Sequence, residues 1–166
     1  MKLKHFLAAL AIAALPASAM ALDNPKADVV LAVQGEVSQV NTGSAATFDL
    51  DMLEGLDQRT IRTKTPWHEG EVEFSGPLLR SVLEAAGAAG ATMKVTALND
   101  YTADVPVEDA ETLDVILATR MNGKRMSVRD KGPLFVIYPF DTHPELYNEK
   151  YFSRSVWQIR EIEVKD

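Results

Sequence analysis

Five apolar residues, Leu134 to Tyr138, stand between Pro133 and Pro139. The run is too short for a helix, and the flanking prolines bar helical continuation. No polar residue alternates within it, so it predicts a central strand covered on both faces. A chain with such a strand must build layers on either side of it.

The surrounding segments supply candidates for those layers. Val29 to Val33 and Thr47 to Leu50 read as short strands separated by the turn chemistry of Asn41-Thr42-Gly43-Ser44. Asp49 to Leu56, with leucines at spacing three, predicts a short helix, and Arg59 to Thr65 alternates as a strand. Ser75 to Gly87 predicts the clearest helix, capped by Ser75 or Gly76, with Pro77 in its first turn and Gly87 at its end. Met93 to Leu98 and Tyr101 to Val107 read as two strands joined at Asn99-Asp100. Val115 to Thr119 fits a buried strand or a helix equally. Asn122-Gly123 and Gly132-Pro133 are turn signals, Phe140 to Tyr151 reads as a surface loop, and Val156 to Val164 ends in strand-like alternation. Without repeats or a linker, this is one α+β domain of mixed sheets and short helices.

Met1 to Ala21 has the parts of an export signal: Lys2 and Lys4, an apolar run from Phe6 to Leu15, and small residues with two A-x-A frames before Leu22. The expectation is a periplasmic domain of residues 22–166 released by cleavage. The run falls short of the roughly 20 apolar residues a membrane span needs. Loss of the two lysines lowers 17 basic side chains to 15, against 24 acidic, a net charge near −9. Such a surface repels nucleic acid and anionic lipid. The chain has no cysteine. Its core alone must hold it, and thiol catalysis, iron–sulfur clusters and cysteine-ligated metals are excluded.

His68 and His143 are isolated in sequence and read as exposed loop histidines rather than metal ligands. Asp141, His143 and Ser153 or Ser155 make a triad only on paper, with no G-x-S-x-G elbow beside them. Phosphate-cradling glycine motifs are also absent. What remains is a set of planar and cationic residues: Arg62, Trp67, Tyr101, Tyr138, Phe140, Tyr147, Arg154 and Trp157. Tyr138 and Trp157 read as core packing. Trp67, in the polar turn Pro66-Trp67-His68-Glu69-Gly70, reads instead as a lid over a flat ligand.

Several blocks then carry a resemblance: Arg62-Thr63-Lys64-Thr65-Pro66-Trp67, Phe74 to Leu83 with Gly87, Ala97-Leu98-Asn99-Asp100-Tyr101, Leu117-Ala118 with Asn122-Gly123-Lys124, and Gly132 to Pro139. In this order the chain resembles the molybdopterin-binding domain of sulfite-oxidase-type oxidoreductases, a mixed α+β fold. In that family a cysteine four residues before the tryptophan binds molybdenum, and Thr63 stands at that position here. A hydroxyl is a hard, poorly ionised donor and does not replace a soft thiolate. The chain resembles small exported relatives without the cysteine, and the resemblance implies a metal-free pterin receptor acting on the periplasmic domain of an inner-membrane enzyme of cyclic di-GMP metabolism. It implies a pterin site of Arg62, Thr63, Thr65, Trp67, Tyr101, Phe140, Asp141 and Arg154, with no catalytic residue. The other expectation is an oxidoreductase, or its electron-transfer subunit, that carries molybdopterin.

Overall fold

The computed structural model describes residues 21–166, so the export-signal reading falls almost wholly on residues 1–20, outside those described. The strands are β1 (Leu31–Gly35), β2 (Ala46–Phe48), β3 (Gln58–Lys64), β4 (Glu71–Pro77), β5 (Thr92–Ala97), β6 (Thr102–Pro106), β7 (Ile116–Ala118), β8 (Arg120–Met121), β9 (Lys124–Arg125), β10 (Phe135–Ile137) and β11 (Ile159–Lys165). Four short helices accompany them: α1 (Leu50–Glu54), α2 (Leu79–Ala85), α3 (Val107–Thr112) and α4 (Glu149–Arg154).

Three sheets result. One orders its strands β2-β1-β11-β5-β6, a second is the pair β10-β7, and the third runs β3-β4-β8-β9. The pair explains the bare apolar run. Leu134, Val136 and Tyr138 belong to a large buried cluster under the five-stranded sheet. Phe135 and Ile137 belong to a second cluster against β3 and β4. In β7 and the residue before it, Val115 and Leu117 join the first cluster while Ile116 and Ala118 join the second. Both strands therefore lie between two cores, which removes any reason for polar alternation. Only β7 pairs with β10 as a full strand, but Val136 also donates to the Val156 carbonyl at 2.9 Å, and Ile159 to that of Leu134 at 3.2 Å.

Two elements differ from the sequence reading near Ser75. The alternation Glu71-Val72-Glu73-Phe74 continues as β4 through Pro77, and the helix begins only at Leu79. Gly76 pairs with Arg59 inside the strand, and β7 passes so close that a Cβ at this position would collide with the Leu117 carbonyl. α3 was hidden in a polar stretch, and the Phe140 to Tyr151 segment contains the start of α4 rather than loop alone. Asn148 caps α4 by accepting from the Lys150 amide at 3.0 Å. Asp49 caps α1 in the same way, from Met52 at 2.8 Å, and also accepts from the Lys26 and Ala27 amides.

Candidate ligand pocket

Three segments far apart in sequence converge beside the small aromatic core. The β3–β4 turn brings Trp67, the β5–β6 turn brings Asn99 and Tyr101, and α4 with the chain entering β11 brings Glu149, Phe152, Ser153, Ser155 and Trp157. They enclose a cavity of about 350 Å³, at the small end of ligand-pocket sizes.

Each wall has a local cause. In the β5–β6 turn Asp100 donates to the Ala97 carbonyl at 3.1 Å and takes a left-handed φ of 66°, the arrangement of a tight hairpin loop. This turn projects Asn99 and Tyr101 beyond the sheet edge. On α4, Glu149, Phe152 and Ser153 sit at i, i+3 and i+4, one face of a helix, and all three line the cavity. The Tyr101 hydroxyl donates to the Ser153 carbonyl at 3.3 Å and joins the two walls.

The aromatic wall is built edge to face. Trp67 has its ring centroid 5.5 Å from Phe135, 5.7 Å from Phe152 and 5.6 Å from Trp157. Both tryptophans are only partly buried, while Phe135 behind them is fully buried. The Lys131 ammonium lies 4.9 Å over the Trp157 ring. His68 packs on Phe74 and hydrogen-bonds Thr65 Oγ1 through Nδ1 at 2.8 Å. Burial, then the Lys131 charge, push its pKa below the ordinary value, so the ring stays neutral at neutral pH. His68 is thus a packed residue of this cluster, not an exposed one; His143 does sit at the surface, 2.9 Å from Glu145.

Of the eight residues in the implied pterin site, the cavity takes Trp67 and Tyr101. Arg62 is exposed on β3 and bonded to Glu73 at 2.6 Å, in a separate open cleft. Thr63 and Thr65 are buried behind the wall, and the Thr63 hydroxyl donates to the Lys64 carbonyl at 3.2 Å. Phe140 is buried in the large core. Asp141 lies 3.5 Å from Arg59. Arg154, one residue past the cavity face of α4, turns away to Asp109 at 2.7 Å, and Tyr138 donates to the same carboxylate at 2.7 Å. Burial and then Asp109 push the Tyr138 phenol well above its ordinary range, so it remains a donor.

Cavity-lining residues that the sequence reading left out are Ala97, Asn99, Glu149, Phe152, Ser153, Ser155, Val156 and Trp157. Trp157, read as core, carries part of the pocket wall. The i, i+3, i+4 spacing on α4 was the available signal, obscured by reading the segment as loop.

The family model described as "Oxidoreductase molybdopterin binding domain" matches residues 21–166. Among solved structures, the sulfane dehydrogenase SoxCD from Paracoccus pantotrophus superposes with a TM-score of 0.61 at 18% identity, over 82% of this chain and 38% of that one. The chain therefore spans well under half of that neighbour, and the likeness is one of fold. No curated protein matches.

Proposed function

The chain belongs to the oxidoreductase molybdopterin-binding domain family, and from that premise we propose that it is a periplasmic binding protein for a metal-free pterin rather than a catalyst. The observation that carries the reading is a half-open aromatic pocket, beside a threonine at the position to which the resemblance assigns the family's metal thiolate. Trp67 and Trp157 offer ring surface to a flat heterocycle. Thr63 is 7% exposed and its hydroxyl is engaged by backbone. The chain contains no cysteine, and among the described residues no group of three His, Asp or Glu side chains is placed to hold a metal. The donor set fits a pterin ring and does not fit a thiolate-bound molybdenum centre.

The output of such a receptor is proposed to be contact with the periplasmic domain of an inner-membrane enzyme that makes or degrades cyclic di-GMP. The resemblance to small cysteine-less relatives supports this reading. The experiment is anaerobic purification of the periplasmic protein, followed by mass spectrometry of the released small molecule and metal analysis. A pterin without stoichiometric molybdenum is expected, and deletion of the gene should shift cellular cyclic di-GMP. Stoichiometric molybdenum would favour the second reading, an oxidoreductase or electron-transfer subunit carrying molybdopterin, to which the family description points.

A further inference from the structure

The cavity lining has a charge bias beyond its aromatic wall. Its ionisable acid is Glu149, at the first position of α4, with the Asn99 amide on the facing turn. No lysine or arginine is among the residues that line it. Arg154, the neighbour of the lining Ser153 and Ser155, is engaged with Asp109, and Arg160 with Asp100 of the facing turn. Lys131 lies against Trp157 but does not line the cavity.

A carboxylate only accepts hydrogen bonds, and its two oxygens match two adjacent N–H donors held in one plane. A phosphate group in the same space would meet like charge without a lining cation. Resting on the pterin-binding reading, we propose that Glu149 selects an unphosphorylated bicyclic heterocycle whose edge presents adjacent amino and ring N–H donors. Asn99 supplies a neutral donor or acceptor across from it. The phosphorylated form that molybdopterin represents is then disfavoured by the pocket itself, independently of the missing thiolate.

The test uses the purified mature protein and three probes: 6-hydroxymethylpterin, the matching lumazine with oxygen in place of the 2-amino group, and the phosphate monoester of the pterin. Binding is read from calorimetry or tryptophan quenching. The pterin should bind about 10-fold tighter than the lumazine, the lower end expected for a charge-assisted pair at an exposed carboxylate. The phosphate ester should bind more weakly than the parent. Glu149→Gln should erase the preference, because an amide both donates and accepts, and since Glu149 is exposed the variant should fold. Equal binding of pterin and lumazine by the unmodified protein would overturn the role of Glu149 and leave ring binding standing. A tighter phosphate ester would overturn the charge argument. If the folded protein binds none of the three, the pterin reading falls, and this selection with it.

Discussion

The two buried clusters meet at β10 and differ in how fully they close toward solvent. The larger is mostly aliphatic, with Leu31, Val33, Val82, Val95, Val105 and Ile162 all inaccessible to solvent. The smaller also holds Ile61, Val72, Ile116 and Ile137, but it sets Phe74 edge to face on Phe135 and is finished by Trp67 and Trp157, which stay partly exposed. Branched aliphatic residues interdigitate and close their space. The large rings of the smaller cluster meet edge to face, and the cavity opens along Trp67 and Trp157, with Ala97 and Val156 of the larger cluster also in its lining. On the proposed function, the difference separates a region that holds the fold from one that would hold a ligand.

Adjacent residues of β10 put that separation to its hardest test. Phe135 and Val136 are both fully buried but face opposite clusters. Phe135→Ala should cost about 3 to 5 kcal/mol of stability and also weaken pterin binding, because Phe135 backs both tryptophans at 5.5 and 5.8 Å. Val136→Ala should cost about 2 kcal/mol and leave affinity unchanged. Urea unfolding and ligand titration on the same preparations decide. Loss of affinity in both variants would mean that the two cores act as one.

Asp109 ties the large core to the wall of the pocket. Asp109→Ala removes the partner of a half-buried Arg154 and of the fully buried Tyr138 hydroxyl, so it should destabilise by about 2 kcal/mol. Asp109→Asn keeps an acceptor and should recover part of the loss. A thermal melt near the original for Asp109→Ala would show that α4 is held by packing alone.

Trp67 belongs to both functions of the small cluster. Its three ring contacts make it part of the packing, so Trp67→Ala should cost about 2 kcal/mol of stability, below the range for a fully buried ring. Affinity should fall by about 5- to 150-fold, the range for one stacked ring. The sequence suggested a smaller stability cost, since a tryptophan in a polar turn carries no sign of what it packs against.

That limit is general in this chain. The strand runs Leu134 to Tyr138 and Val156 to Val164 were legible because burial on two faces, or on one, writes itself into local periodicity. The Asn99-Asp100 turn was legible from its chemistry, and the fold class followed from these elements together with the resemblance. The pocket was legible only at Trp67 and Tyr101, because it joins residues 67, 99–101 and 149–157 across three chain segments. Arg154 shows the reverse case, a residue the resemblance implied that lies outside the cavity lining. Helix geometry turns each residue about 100° from the last, so the neighbour of the cavity-lining Ser153 points at Asp109 instead.

Outside both clusters, Glu54 joins α1 to the β8–β9 hairpin through Arg120 and Arg125, at 3.0 and 2.8 Å. The bond from Arg125, opposed by burial and aided by Arg120, lowers its pKa to about 2. A folded-state value below the unfolded one gives stability present above about pH 4.3 and lost as pH falls toward 2. Glu54→Gln should therefore lower the urea midpoint modestly at pH 7, with the gap closing as the medium is acidified through that window. A gap that persisted at the acid end would assign the effect to packing of the side chain, and ligand affinity should not change at either end.

The smallest expected effect belongs to Arg62, the residue that most sharply separates the sequence reading from the structure. The resemblance implied that it bonds a pterin edge, but its guanidinium is two-thirds exposed and bound to Glu73 in a cleft with Glu71 and Asn122. The Glu73 carboxylate, first through its hydrogen bond and then through its charge, pushes the Arg62 pKa upward, so the charge is permanent and already partnered. Exposed pairs of this kind contribute little to stability. Arg62→Ala should leave both the melting temperature and pterin affinity unchanged within error. A clear loss of affinity would mean that the ligand reaches from the aromatic pocket across the β3 edge to this cleft. A partnered arginine would then be released on binding, and the division between a structural core and a single aromatic pocket would have to include a second, charged compartment.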